Sequence, residues 1–225
     1  MNKKLKLLSL AASIALSLSS ASALAAGKYG PGASDKEVKV GNMVPYSGGA
    51  SAYGNIGKAI SAYFKGINEA GGINGRQINF ISLDDSYSPP KTVEQARKLV
   101  EQEEVLFLSA TLGTPPNSAI HKYMNQKKVP HLFVNTGAHK WGDPKNFPWT
   151  MGLQPDYQTE GKIYASHILK NNPNAKIAIL YQNDDYGKDY LHGFLEALGP
   201  KAKSMVVAQL PYEVTDPTVD SQIIK

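Results

Sequence analysis

The sequence predicts an α/β protein of two lobes, each with a parallel sheet flanked by helices, and the second lobe incomplete. Short β-rich runs alternate with segments of helical apolar spacing from residue 38 onward in the 225-residue chain. The unit of strand, loop and helix occurs twice with a Tyr-Gly pair at the same point, at Tyr53-Gly54 and at Tyr186-Gly187. Because strands that alternate with helices usually pair in parallel, this order favours sheets with helices on both faces.

The first half of the chain supplies four predicted strands and the helices between them. The helix after the first strand ends at Gly71-Gly72, since glycine commonly caps a helix C-terminus. Pro89-Pro90 precedes the second helix, and Thr114-Pro115 begins the third, with the Thr114 hydroxyl predicted as its N-cap. The predicted strands are residues 38–44 (VKVGNMV), 77–83 (QINFISL), 105–108 (VLFL) and 131–134 (HLFV).

A segment with two prolines and a glycine, residues 141–151 (WGDPKNFPWTM), is predicted to be the hinge region. The alternation then resumes with helix 157–169, strand 176–181, a helix around residues 190–198, strand 204–210 and a last helix that opens at Asp216-Pro217. We therefore assign residues 36–150 to an N-terminal α/β lobe and residues 151–225 to a partial second α/β lobe.

The first 25 residues differ in composition from the rest and are predicted to be a secretory signal peptide. Three lysines open the chain, an apolar stretch rich in leucine, alanine and serine follows, and Ala23-Leu24-Ala25 provides small residues for cleavage. A membrane-spanning anchor is the alternative, but the apolar stretch is interrupted by serines and is short for a span. We therefore expect the protein to be secreted into the periplasm.

Charge and cysteine content narrow the possible partners. Removal of residues 1–25 removes three lysines and lowers the formal net charge from +5 to +2. The remaining chain has no basic cluster that would follow a phosphate backbone, so no nucleic-acid partner is expected. The absence of cysteine excludes disulfides, thiolate metal sites, cysteine nucleophiles and a lipid anchor on a cysteine. We expect a freely diffusing periplasmic protein.

Common catalytic motifs are missing from the sequence. It contains neither a P-loop, nor a G-x-G-x-x-G after a strand, nor a G-x-S-x-G nucleophile elbow, and its five histidines lack metal-ligand spacing. Two carboxylate pairs follow strands, at Asp84-Asp85 and Asp184-Asp185. Neighbouring residues at a strand end point in opposite directions, so these pairs are better explained as loop-fixing acceptors or helix caps. A secreted small-molecule hydrolase that uses such a pair is the alternative function.

Small and hydroxyl residues after the strands favour ligand binding instead. Thr114 at a helix start offers a hydroxyl and free backbone amides to an anion, although an ordinary helix cap has the same residues. Gly137, in the loop 135–139 (NTGAH), allows a ligand to approach the backbone closely. Ligands bind at the carboxyl ends of parallel strands, where Tyr53 and Tyr186 are both predicted to lie. Tyrosine suits this task because it combines a flat apolar ring with a polar tip.

Several segments together resemble one known family. They are VKVGNMVPYSGGASAYG, INEAGGINGRQINFISLDDSYSPPKTVEQARKLV, the TLGTPPNSA and VPHLFVNTGA loops, and IAILYQNDDYGKDY. From about residue 36 onward, the chain resembles the periplasmic solute-binding proteins of branched-chain amino acid ABC transporters, which have the type I periplasmic binding fold of two Rossmann-like lobes. The resemblance implies a receptor, not an enzyme, that captures a small molecule between its lobes and delivers it to a membrane permease.

The resemblance also implies which residues contact the ligand. It implies no metal and no cofactor, an ABC permease as partner, and a monomer when the chain is full length. Amino-acid binders of the family typically have a hydroxyl residue where His139 falls, so the expected ligands are an amino acid, an amide or a small organic or aromatic acid. Carried over by motif, with the register of loop 111–114 open by a few residues, the ligand-contacting positions are Tyr53, Thr111, Thr114, Gly137, Ala138, His139 and Tyr186.

The length indicates that the second lobe is incomplete. Chains of the family run far longer and cross between the lobes more than once, whereas this chain ends at Lys225, soon after the helix predicted to open at Asp216-Pro217. We therefore expect a first lobe without its returning segments and only part of a second lobe. A sensory ectodomain of the same fold would need a transmembrane segment, and no such segment is visible after residue 25.

Overall fold

The computed structural model describes residues 29–224, so the predicted signal peptide lies outside the described residues. Within this range the chain forms two parallel sheets flanked by helices, which confirms the predicted fold class. None of the helices within residues 29–224 is both long and apolar enough to cross a membrane.

The first sheet has five parallel strands in the order β2-β1-β3-β4-β5. Val40 of β1 lies opposite Phe80 of β2 on one side and Phe107 of β3 on the other. The strands are β1 Glu37–Val44, β2 Gln77–Asp84, β3 Phe107–Ser109, β4 His131–Val134 and β5 Thr150–Gly152. The chain leaves β1 toward one edge of the sheet and returns to β3 on its other side, and this reversal opens a crevice at the carboxyl ends of β1 and β3.

Helices connect the strands and cover the sheets. The second sheet consists of β6 Ile177–Gln182 and β7 Val206–Tyr212, which pair in parallel. A π-helical turn, Lys98–Gln102, extends α2. The helices are α1 Gly54–Glu69, α2 Pro89–Arg97, α3 Thr114–Lys127, α4 Tyr157–Asn171, α5 Asp185–Leu198, α6 Ala202–Met205 and α7 Asp220–Ile223.

Three buried apolar clusters form the core. One lies between the first sheet and the helices α2 and α3 and includes Met43, Leu99 and Leu108. A second centres on Ala165, Leu198 and Met205 beneath the second sheet. Between them, Val134, Ala138, Trp141 and Tyr157 form the third cluster, against which Tyr186 and Tyr190 pack. Apolar contact therefore runs from the end of β4 to helix α5.

The structure differs from the sequence prediction at several boundaries. The segment predicted as a hinge holds strand β5, so the first sheet extends to residue 152, two residues past the predicted end of the lobe. The prediction that Thr114 is an N-cap is wrong, because Gly113 holds that position and Thr114 is the first helical residue. Strand β7 begins at Val206 because the short helix α6 occupies the four residues before it.

Two further local predictions have clear outcomes. The glycine cap of α1 is confirmed: Gly71 and Gly72 have φ of 103° and 76°, and the Gly72 N–H donates to the Ile67 carbonyl at 2.9 Å. The last helix begins at Asp220 instead of opening at Asp216. Asp216 fixes a turn, since its carboxylate accepts a hydrogen bond from the Glu213 N–H at 2.8 Å.

Candidate functional site

The crevice of the first sheet is built by loops that a carboxylate holds in place. Asp84, at the end of β2, accepts hydrogen bonds from the Tyr46 N–H at 2.8 Å and the Ser86 N–H at 2.9 Å, and Lys91 Nζ lies 2.9 Å from it. Burial alone would raise the pKa of Asp84, but the hydrogen bonds from Ser47, Lys91 and these backbone groups outweigh it and hold the pKa well below its usual range. The loops after β1 and β2 are therefore tied to each other.

Tyr53 and Tyr186 lie near each other, one after β1 and the other at the start of α5. Tyr53 ends the short 3₁₀ helix after β1 and is 56% exposed, and Tyr186 lies in the first turn of α5. Burial raises the pKa of Tyr186, with further contributions from its neighbours Tyr157, Tyr212 and Tyr53. Tyr53 likewise adds to the raised pKa of Tyr212, whose first cause is burial. The structure therefore brings together one predicted tyrosine from each sheet.

Gly137 and Ala138 lie under the Tyr157 ring. A Cβ on Gly137 would come within 2.2 Å of the Pro155 carbonyl oxygen and 2.6 Å of the Tyr157 ring, so only glycine fits there. The Tyr157 N–H donates to the Gly137 carbonyl at 2.8 Å, and Ala138 is 3% exposed. Tyr157 in turn packs edge-on against Tyr186, with ring centroids 5.1 Å apart. Three predicted residues thus meet around one tyrosine that the sequence did not single out.

Thr111 lies below the loop surface, in a buried hydrogen-bonded triad. Its hydroxyl lies 2.5 Å from Asn117 Oδ1, to which it donates, and 2.7 Å from His131 Nε2. His131 Nε2 therefore carries the ring proton, a tautomer assigned from the partners. Burial lowers the pKa of His131 to about 3, so its ring is neutral. The Thr111 hydroxyl braces the loop after β3 in this arrangement.

Thr114 and Thr136 join the loops after β3 and β4. Their hydroxyls are hydrogen-bonded to each other, and each residue is about 2% exposed. The Thr114 side chain therefore supports the rim of the crevice from within. Its neighbours Pro115 and Pro116 supply no N–H in the first turn of α3.

His139 lies between the two sheets at the end of the loop after β4. Its Nδ1 is 2.5 Å from Asp156 Oδ2, and this hydrogen bond raises the pKa of the imidazole. Its backbone N–H donates to Asp189 Oδ2 on α5 at 2.8 Å. His139 also lines a cavity of about 500 Å³ with Ser118, Lys122 and Phe147 among others, which holds none of the other predicted site residues. The structure thus places the His139 side chain at this cavity and in a hydrogen bond with Asp156.

The strand-end carboxylate pairs act as loop and helix acceptors. Asp85 is fully buried and accepts hydrogen bonds from the Tyr87 N–H at 3.0 Å and the Thr92 hydroxyl at 2.9 Å. Asp184 is the N-cap of α5, and Asp185 pairs with Lys140 at 2.6 Å. Each carboxylate is committed to a structural partner, so nothing here favours the hydrolase alternative. Within residues 29–224, the structure forms no cluster of histidine and acidic residues that could hold a metal.

The sequence analysis did not identify the buried polar side chains that hold together the strand ends beneath the crevice. Asn42, on β1, donates to the Ser109 carbonyl at 2.8 Å and accepts from the Ser82 hydroxyl at 2.7 Å. Asn117 and His131 were missed as well, although polar side chains within a strand or on an apolar helix face are a usable signal. Tyr87 was also missed, and its position directly after the Asp84-Asp85 pair could have indicated it.

Comparison with known proteins agrees with this geometry. A family model described as periplasmic binding protein matches residues 37–225. An amino acid binding protein from Pseudomonas aeruginosa is 27% identical over 181 residues, which cover 79% of this chain and 46% of that protein. The chain spans about half the length of the curated relatives it matches.

Two solved structures have the same fold. A branched-chain amino acid transporter substrate-binding protein from Streptococcus pneumoniae, in complex with isoleucine, superposes with a TM-score of 0.71 at 23% identity, over 84% of this chain and 53% of that chain. A solute-binding protein of an ABC transporter from R. palustris, in complex with benzoate, gives 0.72 at 22% identity, over 84% and 51%. At such identities the likeness establishes the fold alone.

Proposed function

We propose that this chain, which belongs to the periplasmic binding protein family, captures a small molecule between its two lobes and delivers it to a membrane ABC permease. The observation that carries the proposal is that Tyr186, in the first turn of α5, packs with the loop after β4 around the Tyr157 ring, while Tyr53 is exposed after β1. A secreted, periplasmic location and a monomeric full-length protein belong to the same proposal.

The proposed binding site uses the predicted residues in two ways. Tyr53 and Tyr186 contact the ligand directly, because their rings border the crevice. Gly137 and Ala138, at the end of β4, contribute through their backbone N–H groups and through the Tyr157 ring that they support. Thr111 and Thr114 contribute through the loops that they hold, since their hydroxyls already have protein partners, and His139 contributes through Nδ1, which binds Asp156.

The proposed mechanism is closure of the lobes on the ligand. A ligand that touches both lobes stabilises only the closed arrangement, and this difference in affinity shifts the equilibrium toward closure. The ion pair Lys140–Asp185, which joins the two sides, is partly exposed and therefore opposes reopening only weakly.

The ligand class we propose is an amino acid, an amide or a small organic or aromatic acid. Aromatic side chains line the crevice, and tyrosine provides flat apolar area and a hydroxyl for such solutes. The relatives and structural neighbours are described as amino-acid-binding, isoleucine-bound and benzoate-bound proteins, which makes L-isoleucine and benzoate suitable first probes.

The test is Tyr186→Ala in the full-length protein, with binding measured by calorimetry after a thermal-shift screen of aliphatic amino acids, aromatic acids and amides. We expect the Kd to rise about tenfold or more, because an aromatic contact contributes on the order of 1 kcal/mol beyond its area burial. Tyr63→Ala, on the exposed face of α1, is the matched control. Unchanged affinity in Tyr186→Ala would contradict the assignment, and a wild type that binds nothing in the screen would contradict the function.

A further inference from the structure

The loop after β2 holds two consecutive residues in a conformation that their side chains disfavour. Ser86 and Tyr87 have φ of 52° and 58°, in the left-handed region. For a bulky residue such as tyrosine this conformation is a true outlier that costs free energy. Conformations of this cost persist where the surroundings hold them in place, and they cluster at ligand-binding sites.

Two carboxylates hold this conformation. Asp84 Oδ1 accepts the Ser86 N–H at 2.9 Å, and Asp85 Oδ1 accepts the Tyr87 N–H at 3.0 Å. Asp85 is in turn fixed by the Thr92 hydroxyl at 2.9 Å, and its carbonyl accepts the Ser88 N–H at 2.9 Å. These hydrogen bonds therefore fix the backbone conformation at Tyr87, and with it the direction in which the side chain leaves the loop.

That direction carries the Tyr87 ring toward the crevice. A Cβ on Gly113 would come within 2.4 Å of Tyr87 Cε2, so the glycine at the end of loop 111–113 makes room for the ring. Gly113 itself has φ of 96°, which favours glycine. On the far side, the Tyr87 hydroxyl lies beside the side chain of Gln182 at the end of β6, with Tyr157 and Tyr186 nearby. Tyr87 thus reaches from the first sheet to the end of the second.

The Tyr87 hydroxyl is a neutral hydrogen-bond donor at physiological pH. Burial raises the pKa of Tyr87 to about 12, while the Gln182 amide acts in the opposite direction. Gln182 Nε2 donates a hydrogen bond to the Asp184 carboxylate, which also accepts the Tyr186 N–H at the start of α5. Gln182 and Asp184 are therefore both hydrogen-bonded within the second half of the chain. An oxygen of a bound solute can therefore take the position beside the Tyr87 hydroxyl without uncovering a buried charge.

From these observations we infer that Tyr87 is a ligand-contacting residue, whose hydroxyl donates a hydrogen bond to a carboxylate or carbonyl oxygen of the solute and whose ring covers one side of it. The strained loop and its two carboxylates serve to preorganise this contact, which saves the ordering cost at the moment of binding. The inference rests on the proposed function, because it names a further residue of the same site.

The test is Tyr87→Phe in the full-length protein, since phenylalanine keeps the ring against Gly113 and removes only the hydroxyl. Benzoate and L-isoleucine, which both carry a carboxylate, are the probes, and calorimetry gives the Kd. We expect the Kd for the bound acid to rise about 10- to 100-fold, the usual loss for a hydrogen bond to a charged group. Tyr63→Phe, which removes the hydroxyl of an exposed tyrosine on α1, should leave the Kd unchanged.

The outcomes separate this inference from the proposed function. If the wild type binds an acid and Tyr87→Phe binds it within twofold, the Tyr87 assignment fails and the proposed function stands. If the wild type binds no carboxylate or carbonyl solute in the screen, this inference fails, and if it binds no solute at all the proposed function fails as well. A weaker Kd with an unchanged melting temperature supports the contact, because a purely structural role for the hydroxyl would lower the melting temperature instead.

Discussion

His121 on α3 and His131 on β4 are both buried, and burial disfavours the charged imidazolium. His131 is fully buried, and desolvation lowers its pKa to about 3. His121 stacks on Phe147 with ring centroids 3.9 Å apart, and burial followed by the nearby Lys140 lowers its pKa to about 4. Both rings are therefore neutral in the folded protein at pH values where unfolded histidine, with a pKa near 6.5, binds a proton.

These two residues predict acid destabilisation that begins near neutrality. Below pH 6.5 the unfolded chain binds more protons than the folded chain, so the free energy of unfolding falls as the pH falls, by up to about 1.4 kcal/mol per pH unit for each histidine. Urea unfolding at pH 7.5, 6.5 and 5.5 measures this slope.

Two variants check the source of the slope. His121→Phe keeps an aromatic ring against Phe147 and should make the slope clearly shallower, because it removes one of the two buried histidines that oppose folding when the pH falls, while His139, with its raised pKa, acts in the opposite direction in both proteins. His192→Gln, at an exposed position on α5, should leave the slope as it is. A stability that stays flat between pH 7.5 and 5.5 would show that the two rings are not held neutral by the fold.

At the scale of elements, α4 and α5 pack against each other through glycine. A Cβ on Gly193 of α5 would lie 2.0 Å from the Gln158 carbonyl oxygen, and one on Gly161 of α4 would lie 2.5 Å from the Tyr190 carbonyl oxygen. Both obstacles are backbone atoms, which a change of rotamer cannot move. The two helices can therefore approach this closely only because the residues at their crossing are glycines, which have no side chain.

Gly193→Ala should separate the two helices and lower the free energy of unfolding by about 1–3 kcal/mol, the usual cost of overpacking. Gly66→Ala is the matched control, because this glycine is also helical but a Cβ there meets nothing within 4 Å. The control should gain about 0.5–1 kcal/mol, since alanine has the better helix propensity. Urea unfolding with circular dichroism compares them, and equal effects of the two substitutions would contradict the role of the crossing.

At the scale of the whole molecule, a small group of polar contacts joins the two sheets. Lys140 Nζ, on the first sheet's side, lies 2.6 Å from Asp185 Oδ2 and 3.0 Å from Ser118 Oγ. The His139 N–H donates to Asp189 on α5 at 2.8 Å, and the Gln158 amide on α4 holds the same carboxylate at 2.8 Å. These contacts lie at the surface, beside the buried cluster around Tyr157.

The Lys140–Asp185 ion pair should contribute little to stability, because its side chains are 36% and 53% exposed. A double-mutant cycle of Lys140→Met and Asp185→Asn should give a coupling energy below about 1 kcal/mol that falls further in 1 M salt. The exposed pair Lys65–Glu69 on α1 is the control cycle. A coupling of several kcal/mol, or one that salt leaves unchanged, would show that the pair is a rigid brace.

The helices and strands were predicted from local sequence patterns. The prediction errors fall where contacts between distant residues determine the local structure. Alternating β-rich runs and helical spacing identified six of the seven strands within residues 29–224, because hydrophobic period is a property of neighbouring residues. Strand β5 was missed, since three residues between prolines carry no period and form a strand only by pairing with β4. Thr114 was misassigned as a cap because its hydroxyl has a partner, Thr136, that lies 22 residues away.

By itself the sequence determined the parallel α/β fold class, the glycine cap of α1 and the family resemblance, because these depend on periodicity and on motifs of neighbouring residues. Only the tertiary structure decided which polar groups are hydrogen-bonded to other protein groups and which border the crevice. Thr111 and Tyr53 both follow strands in the sequence, yet one hydroxyl is buried against His131 and the other residue is 56% exposed. The physical reason is that burial and hydrogen-bond partners are set by chain segments that meet only after folding.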